Sequence, residues 1–325
     1  MVDGEPASTL AHASRLARTA RDPVSSAGMD PITLRGGSLG VVLIPPVGGA
    51  IARFWCEQPG AAIELLRPAS DLALTRRDAG GMACFPLVPW SNRIREGRFA
   101  FGGRTIGLPP NRSQDRHPIH GLGFQTTWTV VDLDPARAVL EHGHAPGAWP
   151  WAYRALQRVA LTPASLELEL TVWNESDTAM PVGLGWHPYF PRTPGTTLTA
   201  RVGGLWLTDA EVLPVACVAP PPDRDPGRGL SVDRTALDNA FVGWDGDAVV
   251  AWPEWRVQLR LATQGPLGTL VVYTPPGEAF FCVEPVSHIT DAFNLAAAGR
   301  TDTGMLSLLP GESVGATLTL TPSIA

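Results

Sequence analysis

The sequence predicts an all-β protein, built as one large antiparallel β-sandwich, and three observations carry that expectation. Several segments alternate apolar and polar residues with a period of two. Leu166, Leu168, Leu170 and Val172 alternate with Glu167, Glu169 and Thr171, and Trp255, Val257, Leu259 and Leu261 with Arg256, Gln258 and Arg260. Val314, Ala316, Leu318 and Leu320 repeat the pattern near the end. Such runs give a strand one buried and one wet face. The second observation is punctuation: 34 glycines and 32 prolines, with many Asn and Asp, cut the chain into short pieces joined by turns and loops. The third is that no segment beyond residue 30 keeps a 3.6-residue apolar period over three turns. With no internal repeat and no long linker, a single sandwich is the simplest arrangement.

Taken in order, residues 1–28 are expected to be a flexible N-terminal arm, or an extension upstream of a start at Met29. Leu10 to Ala20 reads as a weak Ala/Arg-rich helix that Asp22-Pro23 interrupts, and it lacks an apolar face. The β pattern begins near Ile32, so residues 29–325 are expected to form a single domain. A chain of 325 residues that is 44% hydrophobic can bury a sizeable core. Only 17% of residues are charged and the net charge is -6, so there is no excess of positive charge to collect a phosphate backbone, and nucleic acid is not an expected partner. No apolar run approaches the ~20 residues that span a bilayer. The N-terminus has no compact apolar stretch followed by a cleavage site. A cytoplasmic location without a membrane partner is therefore expected, and the sequence carries no signal of oligomeric state.

The scattered cysteines Cys56, Cys84, Cys217 and Cys282 form no C-x-x-C pair, which suits neither a zinc framework nor a disulfide scaffold. Reduced thiols are expected. All 25 basic residues are arginine, so Schiff-base chemistry on lysine is excluded.

The candidate chemistry lies in three short segments: Pro118-Ile119-His120-Gly121, Gly185-Trp186-His187-Pro188-Tyr189-Phe190 and Glu284-Pro285-Val286-Ser287-His288. A fold that gathers their two histidines and one carboxylate would hold a proton acceptor beside proton donors. That suits general acid–base work on a neutral polyol. The apolar run Phe280-Phe281-Cys282-Val283 before Glu284 points to a partly buried strand end, where the carboxyl pKa would rise. Trp186 and Tyr189 offer flat surfaces for a sugar's C–H face.

The segment GGMACFPLVPWSNRIREGRFAFGGRTIGLPPNRSQDRHPIHGLGFQTTW (81–128) resembles the aldose 1-epimerase (mutarotase) family. The likeness continues at GLGWHPYF (183–190), LDNAFVGWDG (237–246) and FCVEPVSHITDAFN (281–294), in the family's order, and covers roughly residues 30–325. The resemblance implies a galactose mutarotase-like β-sandwich over residues 29–325 and an isomerase that interconverts the anomers of a free hexose. It implies Glu284 as the base on the anomeric hydroxyl, His187 as the acid at the ring oxygen, and His120 as a second histidine at the same region. Asp238 and Arg93, with Asn92 of the NRI triplet, are implied as ligands of sugar hydroxyls. No cofactor and no metal are expected, and a small-molecule sugar is the expected partner.

Several blander or rival readings stand beside these. His117 and His120 could be a metal pair, but Pro118 prevents a helical i,i+3 arrangement and no third ligand is near in sequence. Gly143 and Pro146 suggest a turn at His142 and His144. His288 would orient the loop after Glu284, and Asp238-Asn239 reads locally as a turn. Arg93, Arg95, Arg98, Arg104, Arg112 and Arg116 fall close together and are expected to form a solvated rim. The alternative is an anion site, which would make the substrate a sugar phosphate, as in the related hexose-6-phosphate epimerases. A non-catalytic carbohydrate-binding protein would use the eleven tryptophans, but has no use for the Glu–His–His set.

Overall fold

A computed structural model describes residues 31–324. The expected N-terminal arm and its Leu10–Ala20 helix lie outside the described residues. Two antiparallel sheets dominate. The larger has nine strands, in the spatial order Leu230–Ser231, Thr197–Ala200, Asp247–Trp252, Val257–Gln264, Ser313–Ile324, Leu166–Asn174, Tyr153–Leu161, Arg137–His144 and Thr129–Asp134. The other orders Pro214–Val218, Gly204–Thr208, Asp238–Val242, Thr269–Tyr273, Phe280–Val286, Gly185–Trp186 and Pro86–Leu87, with Tyr189–Pro191 also on Phe280–Val286. A four-stranded sheet covers Ile32 to Glu64. Helix among the described residues is confined to two six-residue turns, Asp71–Arg76 and Ala292–Ala297, and a few shorter 3-10 turns.

All three alternating runs read from sequence are strands of the nine-stranded sheet, and their apolar residues point inward. Leu168, Leu170, Leu259, Leu261, Leu318 and Leu320 share one core with Leu205, Phe241, Leu270, Val272, Phe281 and Val283 of the eight-stranded sheet. This is face-to-face sheet packing, each sheet burying alternate residues against the other. Trp255 is the exception to its run: it ends a 3-10 turn, Pro253–Trp255, and the strand begins at Val257.

The eight-stranded sheet is buried on its second face as well. Ala240, Val271, Cys282 and Tyr189 point away from the sandwich, into a second cluster with Ala50, Met82, Phe85 and Phe124. A sheet covered on both sides reads as continuous apolar sequence rather than alternation, which is the pattern of Phe280–Val286, buried throughout after its first residue. No helix among the described residues is long and apolar enough to cross a membrane.

Candidate active site

The outer face of the eight-stranded sheet builds the floor of the site. Because side chains alternate along a strand, Phe281 and Val283 enter the sandwich while Cys282 and Glu284 face outward. Register sets the neighbours. Asp238 lies opposite Tyr273, Tyr273 opposite Cys282, and Cys282 opposite Tyr189, while Glu284 lies opposite Val271. On the other side of Glu284 the chain 185–191 pairs at Gly185 with Val286 and at Tyr189 with Cys282. That register puts His187 level with Glu284, and His187 Nε2 stands 3.3 Å from Glu284 Oε1.

His187 packs against two rings, Phe85 at 4.8 Å and Tyr189 at 4.6 Å between centroids. Its backbone N–H donates to the Phe85 carbonyl at 3.0 Å. The Arg67 guanidinium lies over the Tyr189 ring at 4.2 Å. This packing allows the imidazole little rotation.

A second wall comes from two loop segments that grip each other. The His120 N–H donates to the Asn92 carbonyl at 3.0 Å, and the Asn92 N–H donates to His120 Nδ1 at 3.2 Å. Since Nδ1 accepts, the neutral ring carries its proton on Nε2. Asn92 and His120 both sit in the left-handed backbone region, φ 52° and 63°, an uncommon and costly conformation that concentrates at functional sites. Gly121, φ 78°, follows against the Val88 carbonyl, where a Cβ would collide. Asn92 Oδ1 also accepts from Arg93 N–H at 2.9 Å and from Arg93 Nη1 at 3.2 Å, and Nη1 is 3.9 Å from Asp238 Oδ2.

Glu284, His187, His120, Arg93, Asn92, Asp238 and Tyr189 thus line one pocket of about 320 Å³, at the small end of the roughly 300–1,000 Å³ of small-molecule sites. Trp186 does not join them. It is fully buried, with its indole N–H donating to Gln157 Oε1 at 3.2 Å. Adjacent residues face opposite ways on extended backbone, so turning His187 into the pocket turns Trp186 into the core. Asp238 opens a strand, Asp238–Val242, rather than a turn. His142 and His144 lie on the strand Arg137–His144, also against expectation. His288 accepts from the Ser91 N–H at 3.2 Å and braces that loop without lining the pocket.

Arg112, Asp115, Tyr273 and Phe280 line the pocket too, and sequence reasoning did not place them there. Tyr273 and Phe280 become visible only once strand register is known. The solvated rim expected of six arginines does not hold for Arg112, which lines the pocket. Arg112 pairs with Asp115 at 3.4 Å, Arg95 with Asp291 at 3.5 Å, and Arg116 with both Glu96 and Glu211 at 2.7 Å. Arg98 and Arg104 sit on the hairpin strands Arg98–Phe101 and Arg104–Gly107, outside the pocket.

Burial dominates the electrostatics. It pushes the Glu284 carboxyl well above the usual range, reinforced by Asp238 and opposed by Arg93. It pushes His187 down to about 3, helped by Arg112 and Arg67, and His120 well below the usual imidazole value, helped by His187, Arg93 and Arg112. Charge in a low-dielectric site is costly, so burial favours a protonated Glu284 and a neutral His187 where the two face each other at 3.3 Å. The second oxygen of Glu284 is buried without a partner among the described residues.

Cys282 lies beneath the pair, and His187, Cys282 and Glu284 each offer a donor atom within 4.8 Å of one another. The trio is poorly disposed to a dication. Burial and Glu284 hold the Cys282 thiol far above its usual pKa, a protonated thiol is a weak ligand, and Arg93 and Arg112 already bring positive charge to the pocket. The arrangement is better suited to exchanging a proton across a short gap.

Residues 30–321 match the aldose 1-epimerase family. The chain is 32% identical to YphB, an uncharacterized protein of Escherichia coli K12, across 89% of this chain and 97% of YphB. It superposes on the crystal structure of a candidate aldose 1-epimerase from Escherichia coli K12 with a TM-score of 0.83 at 31% identity, covering 92% of this chain and 100% of that one. A galactose mutarotase-like protein from Clostridium acetobutylicum shares the fold at 20% identity, TM-score 0.80, over 91% and 95% of the two chains. The chain belongs to the aldose 1-epimerase family, and is an isomerase with the galactose mutarotase-like β-sandwich expected from its sequence.

Proposed function

We propose that this family member interconverts the α and β anomers of a free, uncharged hexose, with Glu284 and His187 passing protons at the anomeric edge. Anomer exchange opens the C1–O5 bond, lets the aldehyde rotate, and closes the ring on the other face. In the ring-closed complex, Glu284 as carboxylate takes the O1 proton while protonated His187 gives one to O5. Ring opening leaves protonated Glu284 and neutral His187, the state that burial favours. Ring closure runs the same transfers backwards, so the pair ends each cycle with the proton count it started with. Positioned acid and base groups each contribute on the order of 10²–10⁴-fold. His120, with its proton on Nε2, donates to an oxygen at the same edge.

The pairing of pocket charges carries the choice of a neutral substrate. Both guanidinium groups of the pocket have a carboxylate beside them, Arg93 with Asp238 at 3.9 Å and Arg112 with Asp115 at 3.4 Å. A donor next to an acceptor matches a hydroxyl, which does both. A phosphate dianion asks for donors alone and would meet two carboxylates. Four of the six arginines that suggested an anion site are matched in this way.

Polarimetry of freshly dissolved α-glucose and α-galactose, with NMR of glucose 6-phosphate anomers, tests the reading. Accelerated relaxation of the free sugars with weak dependence on ionic strength is the expected result. A strong preference for glucose 6-phosphate that collapses in salt would replace it with a hexose-6-phosphate 1-epimerase. No acceleration of any sugar, with binding intact, would leave a carbohydrate-binding protein.

A further inference from the structure

The pocket has two guanidinium–carboxylate pairs, and strand order separates them about Glu284. Asp238 and its partner Arg93 lie on one flank, two strands from Glu284 in the order Asp238–Val242, Thr269–Tyr273, Phe280–Val286. His187 lies on the other flank, on the chain that pairs with the far edge of Phe280–Val286. Arg112 belongs to the His187 flank. It lines the pocket and also an adjoining cavity of about 630 Å³ that Phe124 borders. Phe124 stacks on Phe85 at 5.3 Å, and Phe85 stacks on His187. The two flanks differ in what they feel: the electrostatics of Glu284 and Asp238 respond to Arg93, those of His187 and Tyr189 to Arg112.

With O1 at Glu284 and O5 at His187, the order of atoms around a pyranose ring decides which hydroxyls lie on each side of that edge. Walking from C1 away from O5 reaches the C2 and C3 hydroxyls, on the Glu284 side. Walking from O5 away from C1 reaches C5, which bears the exocyclic C6 hydroxymethyl, and then C4, on the His187 side. We propose that the Arg112–Asp115 pair is a second hydroxyl clamp, that it reads the C6 hydroxyl, and that it gives the enzyme a preference for hexoses over pentoses. The inference rests on the anomerase reading above and on its assignment of Glu284 to O1 and His187 to O5. Asp115 Oδ2 stands 3.4 Å from Arg112 Nε and makes no hydrogen bond among the described residues, so the pair sets an acceptor beside a donor. A site built to hydrogen-bond a hydroxyl discriminates strongly against an analogue that lacks it.

The test compares kcat/KM for glucose, 6-deoxyglucose and xylose, in the wild-type protein and in Arg112→Leu and Asp115→Asn. The wild type should favour glucose over both analogues by roughly 10–100-fold, the worth of a hydrogen bond to a charged group. In Arg112→Leu the ratio should fall toward unity, chiefly through a higher KM for glucose. A ratio of rates on one preparation is insensitive to partial misfolding, and Asp115→Asn keeps the shape should Arg112→Leu fold poorly. A wild type that turns over all three sugars equally would overturn the clamp and leave the anomerase reading standing. Unchanged ratios in both variants would do the same. Failure on every free aldose would overturn both.

Discussion

One strand, Phe280–Val286, serves two regions that obey different rules. Its inward residues, Phe281 and Val283, fill the sandwich with the apolar side chains of the facing sheet. Its outward residues, Cys282 and Glu284, are as deeply buried, yet Glu284 lines a polar pocket with Cys282 beneath it. Burying an aromatic ring removes apolar surface from water and stabilises the fold. Burying a carboxyl and an imidazole raises the cost of charging either, and that cost makes the pair responsive to a substrate proton. The inner face holds the backbone still so that the outer face can be held in an unfavourable state.

The largest expected effect breaks the outer face alone. Glu284→Gln keeps the shape and removes the proton carrier, so kcat should fall by at least ~10²-fold with a modest change in KM. Stability should move the other way. The folded state holds the Glu284 proton well above its ordinary value of 4.5, so this carboxyl's contribution is fully present below that pH and is lost as pH rises. Denaturant titrations should therefore show wild type and Glu284→Gln alike below pH 4.5, with the variant increasingly the more stable toward neutral pH. A variant that is inactive and also less stable at neutral pH would mean that Glu284 supports the fold, and the contrast between the faces would fail.

The complementary change breaks the inner face. Phe281 is fully buried and packs on Phe190 at 5.5 Å. Phe281→Ala should cost about 3–5 kcal/mol of unfolding free energy. The fraction that remains folded should keep most of its kcat at low temperature, because the backbone register that aligns Glu284 with His187 is set by strands on both sides. A loss of kcat as deep as that of Glu284→Gln, in folded protein, would show that the site depends on core packing itself.

The contrast also explains what the sequence could show. Strands with one wet face announced themselves through alternation, as Leu166–Asn174 did with Glu167 and Glu169 between its leucines. Phe280–Val286, buried on both faces, offered no alternation, and Glu284 stood out only through the motif around it. Residue type was a good guide for Glu284, His187 and His120. Facing direction was not: Trp186 looked like a stacking surface beside His187, and one step along extended backbone put it in the core. Asp238-Asn239 looked like a turn because the pairing that makes it a strand comes from Val272 and Tyr273, more than thirty residues away. Arg112 was concealed in a crowd of arginines whose carboxylate partners, Asp291 and Glu211 among them, are distant in sequence.

A smaller effect lies away from both faces of that strand. His142 and His288 are buried, each pushed down to about 4 mainly by burial. In the unfolded chain such imidazoles take up protons near pH 6.5, which the folded state refuses until about pH 4. Each group contributes its full stability above 6.5 and loses it as pH falls between those limits. Urea midpoints of Glu284→Gln, which lacks the opposing carboxyl, should therefore decline from pH 6.5 toward 4. A flat profile over that interval would place the buried imidazoles nearer to solvent than the fold indicates.

The smallest expected effect belongs to Arg116, the exposed neighbour that separates rim from pocket. Its guanidinium reaches Glu96 and Glu211, both exposed, and it lines none of the pocket that holds Glu284. Exposed ion pairs contribute little, because water and salt screen them. Arg116→Ala should leave kcat/KM for glucose within about two-fold and barely move the melting temperature, whereas Arg112→Leu, only four residues earlier, should weaken glucose selectively. The two arginines share a sequence neighbourhood and differ in what they face. If Arg116→Ala instead cut activity on glucose 6-phosphate while sparing glucose, a phosphate would have to approach from the rim. The neutral-sugar reading would then yield to the phosphate one, since only an anion gains from a cation standing outside the pocket.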